Sequence, residues 1–197
     1  MVEAAVEMLQ LRGLSGFSIR QLSAELGVDA MALYKHVRNK DDLLGAAVAT
    51  VFAEARPLGH GEWWESVRGT FREQRRVIRE HPWVLAVMLS HPLESSEPWE
   101  GVDQTLAVLQ QHLGAAGAAR WIRVLAAFTN GFLQTEPELF DGPDTREVES
   151  RFPRVTAAAA RSARTGTKDF EVGLEALLGA MRAEAAARPP LRTVRKP

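Results

Sequence analysis

Apolar residues return every three to four positions along nearly the whole chain, and no stretch alternates as a half-buried strand would. An all-α protein is the expectation. Val2 to Arg12 turns Ala5, Val6 and Leu9 to one side, with Met8 beside them, and Gly13 ends the segment. Ser18 followed by Gln21 is a capping box, and Phe17 and Leu22 are spaced to close a hydrophobic staple. This second helix runs to the neighbourhood of Leu26 and stops at Gly27, a residue suited to a left-handed turn. Asp29 caps a short third helix, Ala30 to the region of Val37, which buries Leu33 and Val37 and can staple Val28 onto Leu33. Asn39 caps a fourth helix that carries Asp42 in its first turn, then Leu43, Leu44, Ala47, Val48 and Val51, and extends to Ala55.

The second and third segments are joined by a short turn containing glycine, which is the helix-turn-helix pattern. Beyond Pro57 the helices lengthen, to roughly 62–80, 83–90, 98–114, 117–135, 145–164 and 169–187, as in a bundle. Pro82 suits the first position of its helix. Two prolines and a glycine make Glu136 to Asp144 a loop, and Thr165 to Lys168 reads as a further break. The chain therefore divides into a three-helix helix-turn-helix domain at 1–56, a C-terminal helical bundle at 57–188, and a basic, proline-rich tail at 189–197 without fixed structure.

Composition narrows the function. At 46% hydrophobic residues, 197 positions supply ample core. Cysteine is absent, which removes disulfides, thiol catalysis and thiolate-bound zinc and fits a cytoplasmic location. No apolar run is long enough to cross a bilayer, and no signal-peptide pattern opens the chain. Net charge is −1, and residues 1–50 hold five Lys/Arg against six Asp/Glu, so nucleic-acid binding has to rest on where the cations sit. Ser-His-Asp order, a phosphate loop and His-Glu-x-x-His are all missing, so an enzyme is not expected. His60, His81, His91 and His112 make no i, i+4 pair, and neither a metal nor another cofactor is expected.

Gly27-Val28-Asp29-Ala30-Met31-Ala32-Leu33-Tyr34-Lys35-His36-Val37-Arg38-Asn39-Lys40, followed by Leu43-Leu44, resembles the signature of the TetR family of repressors, and Phe17-Ser18-Ile19-Arg20 matches the start of that family's second helix. Glu80-His81-Pro82-Trp83 and Phe170-Glu171-Val172-Gly173-Leu174 resemble recurrent pieces of its C-terminal domain. The resemblance implies phosphate contacts from Tyr34, His36 and Lys40 and a DNA contact from Arg20, with Arg38 as an addition. The residues themselves give a compatible picture. With Leu33 and Val37 inward, Ala30, Met31, Tyr34 and Lys35 form an outer face of the right size for a major groove. Base edges are read near the helix start, by Ala30 and Met31, which cannot form bidentate hydrogen bonds but can touch thymine methyl groups. The family's prototype carries glutamine where this chain has Ala30, so its operator preference does not transfer. Lys35 can reach a guanine or a phosphate. Alternatively, Tyr34 is a half-buried core aromatic, His36 caps a turn, and the cations are a solvated face.

For the larger domain the resemblance implies a homodimer built from the helices near 117–135 and 169–187. The first is apolar over much of its girth (Trp121, Ile122, Val124, Leu125, Phe128, Phe132, Leu133), and Phe170, Leu174, Leu177, Leu178 and Met181 give the second its stripe. Phe71, Gln74, Met88, Leu109, Trp121, Phe128 and Phe132 are candidate walls of an effector pocket, with Thr129 and Asn130 as polar anchors; each also fits a plain core role. Gln74, alone on an apolar face, either orients a ligand or reaches solvent. The function expected is a repressor that binds palindromic double-stranded operator DNA as a dimer and is released by a small hydrophobic effector. The alternative is a regulator without such a ligand, controlled by a protein partner.

Overall fold

The computed structural model describes residues 1–53, 61–91, 100–136 and 152–188, and among these residues the regular structure is helical with no strand. The elements are α1 Val2–Arg12, α2 Ile19–Glu25, α3 Ala30–Leu33, α4 Lys40–Ala53, α5 Trp63–Glu80, α6 Trp83–Ser90, α7 Glu100–Gln134 and α8 Pro153–Ala186. The all-α expectation, a helix-turn-helix followed by a helical bundle, is what the chain adopts. The predicted loop at Glu136 to Asp144 beyond its first residue, the residues from Glu54 to the 56/57 boundary and the tail at 189–197 lie outside the described residues.

Two expectations change in detail. The third helix is regular only from Ala30 to Leu33, and the residues to Val37 continue as turns whose N–H groups still bond back, His36 and Val37 both to Leu33 O (2.9 and 3.2 Å). The break predicted at Thr165 to Lys168 is absent, because α8 runs unbroken through it. Thr165 donates its hydroxyl to Arg161 O (3.1 Å) and lies 2.6 Å from Asp169 Oδ2, so a polar cluster that looked like a loop bonds to its own helix. In contrast, the separation predicted near residue 115 is real in geometry. α7 bends at Gly114, whose φ of 67° and ψ of 171° interrupt helical dihedrals and suit a residue without Cβ.

Two apolar clusters organise the molecule. One joins α1 to α4 with the end of α5, α6 and Leu133 of α7, so the small N-terminal helices share a core with the corner between α5 and α6. The other packs the first half of α5 (Val67, Phe71) with α7 (Leu109, Leu113, Trp121, Leu125) and α8 (Phe170, Leu174, Leu178, Met181). A polar clamp reinforces the first junction. Gln10 of α1 donates through Nε2 to Glu80 O (3.0 Å), accepts at Oε1 from Trp83 Nε1–H (3.2 Å), and places the same oxygen 3.0 Å from His81 Nδ1.

Candidate nucleic-acid interface and effector domain

The turn before α3 is built by backbone bonds that need Gly27. Val28 N–H donates to Ser23 O (3.0 Å) and Gly27 N–H to Ala24 O (3.2 Å), the paired closure of a Schellman end, with Gly27 at φ 67°. Ser18 caps α2 by accepting from Gln21 N–H (3.2 Å), and Asp29 caps α3 by accepting from Met31 N–H (2.7 Å). One helical turn does not hold itself together in water. Its fixed point is burial: Leu33 and Val37 enter the first cluster, while Met31 stays 70% and Tyr34 47% exposed. Lys35 and His36 are exposed and Ala30 is half-buried. Tyr34 is therefore no core aromatic.

The cations divide into two groups. Arg38 pairs with Asp42 (Nη2 to Oδ1, 3.0 Å), and Lys40 turns inward, donating to Phe17 O (3.1 Å) with its ammonium 5.6 Å from the Phe17 ring centre. Lys40 thereby ties the start of α4 to the residue before Ser18, whereas Arg38 braces the first turn of α4. The Arg38 guanidinium, helped by the Arg38 backbone N–H, keeps the Asp42 carboxyl below the ordinary aspartate range. Asp42 N–H in turn is capped by Asn39 Oδ1 at 2.8 Å. Arg20 and Lys35, by contrast, are exposed and have no carboxylate partner among the described residues.

In the larger unit the candidate pocket residues separate. Phe71, Leu109 and Trp121 belong to the second cluster, with Phe128 and Phe132 at its edge against Phe170. Met88 packs on the first cluster instead. Gln74 does not stand alone: it is half-buried, and its Nε2 donates to Asn130 Oδ1 at 3.0 Å, linking α5 to α7. The neighbouring Thr129 is fully buried, and among the described residues its hydroxyl has no hydrogen-bond partner. Trp121 donates Nε1–H to Glu184 Oε2 (2.9 Å).

An arrangement the sequence did not reveal lies at the end of α7. Glu136 is buried and accepts at Oε1 from Arg75 Nε (2.8 Å) and Nη2 (2.6 Å), while Arg79 Nη1 lies 3.2 Å from Oε2. Arg75 also reaches Thr167 Oγ1 (3.3 Å) and lies over the Phe170 ring at 4.9 Å. Arg72, Arg75, Arg76 and Arg79 line a cleft of about 400 Å³, but each already has a carboxylate: Glu171, Glu136, Glu73 with Glu80, and Glu136. A second cleft, of about 610 Å³, opens where Trp63 stacks on His112 at 4.5 Å and Arg182 covers Trp64 at 4.3 Å. Neither cleft is lined by the residues proposed as pocket walls. Among the described residues no helix is long and apolar enough to cross a membrane.

Comparison with known proteins agrees with this architecture. Residues 1–47 match the pattern of bacterial regulatory proteins of the tetR family, and residues 57–185 match the tetracyclin repressor-like C-terminal domain. The chain is 34% identical over 112 residues to the HTH-type transcriptional repressor DrrR1 of Streptomyces coeruleorubidus; the match covers 55% of this chain and 42% of that protein's length. It is similar in structure to a possible TetR family transcriptional regulator from Streptomyces coelicolor A3(2), with TM-score 0.78 and 27% identity over 92% of this chain and 97% of the other. It shares its fold with ActR of Streptomyces coelicolor, solved in complex with actinorhodin, at TM-score 0.73 and 23% identity over 93% of this chain and 95% of that one.

Proposed function

The chain belongs to the TetR family of bacterial regulatory proteins, and from that premise we propose that it is a ligand-responsive transcriptional repressor that binds palindromic operator DNA as a homodimer. Residues 1–56 bind the duplex, and residues 57–188 dimerise and receive the effector. The observation that carries the reading is the division of α3 and its flanks into a buried side and an open one. Leu33 and Val37 are spent on the core, while Met31, Tyr34, Lys35 and His36 stand outward with no structural role for their exposed parts. Arg20 and Lys35, free of carboxylates among the described residues, supply the charge that phosphates attract. Tyr34 and His36 lie beside them as further phosphate contacts. Lys40 acts indirectly, by fixing the chain before α2.

Gel-shift titration across salt concentrations tests this reading. Arg20→Ala and Lys35→Ala should each weaken binding to all sequences and flatten the salt dependence by about one unit of slope. Unchanged slopes in both variants would remove these residues from the interface.

A dimer through residues 117–135 and 169–187 is supported by the outward side of α8. There Val172 is 71% exposed and is followed by exposed Ala176, Gly179, Ala180 and Ala183, small side chains that permit close helix approach. An effector is supported by the orphan hydroxyl of buried Thr129 beside the Gln74–Asn130 bond, and by ActR, a protein of the same fold crystallised with actinorhodin. A ligand that bound an alternative packing of α5 and α7 would shift the dimer away from the DNA-competent arrangement. The second reading, a regulator without small-molecule control, draws on the complete burial of Phe71 and Leu109. A thermal-shift screen of apolar compounds followed by operator-release assays separates the two. A compound that raises the melting temperature and releases DNA supports the effector reading; compounds that bind tightly without altering operator affinity support the other.

A further inference from the structure

Building on the operator-binding reading, we infer that the protein recognises each half-site through the C5-methyl groups of thymines beneath Ala30 and Met31, with no hydrogen bond from the first turn of α3 to a base. That turn consists of Ala30, Met31, Ala32 and Leu33, and none of these side chains carries nitrogen or oxygen. Leu33 faces the core. The neighbouring Asp29 is engaged as the cap, 2.7 Å from Met31 N–H. Among the described residues, four of the ten exposed large apolar side chains, Leu26, Val28, Met31 and Tyr34, fall within the nine residues from the end of α2 to the end of α3, an apolar patch around this turn.

In the major groove every base pair offers hydrogen-bond donors or acceptors, and the apolar feature on offer is the thymine methyl. A first turn without polar atoms cannot read a purine edge. It gains from a methyl and leaves the donors and acceptors of any other base facing a thioether or a methyl group. Polar discrimination then falls to Tyr34 and Lys35, further along the chain, and phosphate attraction to Arg20 and Lys35.

The experiment uses the full chain. Duplexes that it retains from a random pool define the operator. Each thymine of the footprint is then replaced in turn by deoxyuridine, which removes one methyl and keeps the pairing. At the contacted positions affinity should fall about fourfold per methyl, the equivalent of withdrawing one buried carbon. The Met31→Ala variant, altered at a surface position, should still bind but lose that sensitivity at its position. A 5-methylcytosine·guanine pair placed there should bind more tightly than unmethylated cytosine·guanine. If uridine and thymine duplexes bind alike at every position, or if Met31→Ala keeps the full uridine penalty, the inference is overturned while operator binding stands. If the chain retains no sequence from the pool, both fall together.

Discussion

Replacing Glu136 with alanine should lower the unfolding free energy by about 3–5 kcal/mol, the cost of leaving a buried ion-pair partner uncompensated. Glu136 is 4% exposed and answers two arginines from α5. Arg79 can turn outward, since its side chain is 31% exposed, but Arg75 cannot do so readily at 11%. Without the carboxylate, Arg75 retains the Thr167 hydroxyl and the face of Phe170, which solvate a cation far less well than water does. The loss should appear as a lower urea midpoint. Glu136→Gln, which keeps an acceptor, should lose less. The double variant Arg75→Met/Glu136→Leu should recover much of the stability, because an apolar pair of similar volume removes the desolvation of both charges. If Glu136→Ala unfolds at the native midpoint, the pair is solvated in solution and the buried network is misread.

Leu33→Ala should cost about 2–5 kcal/mol, the range for deleting a buried leucine side chain, and should abolish operator binding. The helix that carries Leu33 is a single turn, capped by Asp29 and anchored by Leu33 and Val37. Local hydrogen bonds alone leave such a turn mostly unformed. Removing the larger anchor should therefore release Met31, Tyr34 and Lys35 from a common face. Hydrogen exchange should show lost protection across residues 28–37 while the amides of α8 and of α7 from Leu109 to Leu125, whose buried side chains belong to the other cluster, keep theirs. Retained protection at residues 28–37 would mean that Val37 and the cap suffice. Met31→Ala removes only exposed surface and should leave exchange untouched, which separates recognition from folding.

Much of the helix-turn-helix was legible from the chain because its determinants are local. Caps at Ser18, Asp29 and Asn39 act over two or three residues, and Gly27 closes its turn through bonds to Ser23 and Ala24. The inward roles of Leu33 and Val37 followed from spacing alone. Lys40 did not: its bond to Phe17 O crosses 23 positions, and nothing in the local sequence distinguishes an inward lysine from an outward one. The C-terminal helical domain was less legible for the same reason. Met88 and Phe71 look alike as apolar positions, yet they serve different clusters. The break expected at Thr165 to Lys168 failed because the Thr165 hydroxyl finds its partners along α8, at Arg161 O and Asp169 Oδ2.

By itself, the order of residues determined the helical class, the caps at Ser18, Asp29 and Asn39, the helix-turn-helix and the outward face of its last member. Each of these depends on neighbours a few positions away, where spacing and side-chain chemistry leave little choice. Tertiary structure alone decided which polar side chains meet: Arg75 and Arg79 with Glu136, Gln74 with Asn130, Gln10 with the α5–α6 corner. Those partners lie 56 or more positions apart. A polar side chain at an apolar seam has many candidate partners until packing brings one within 3 Å of it.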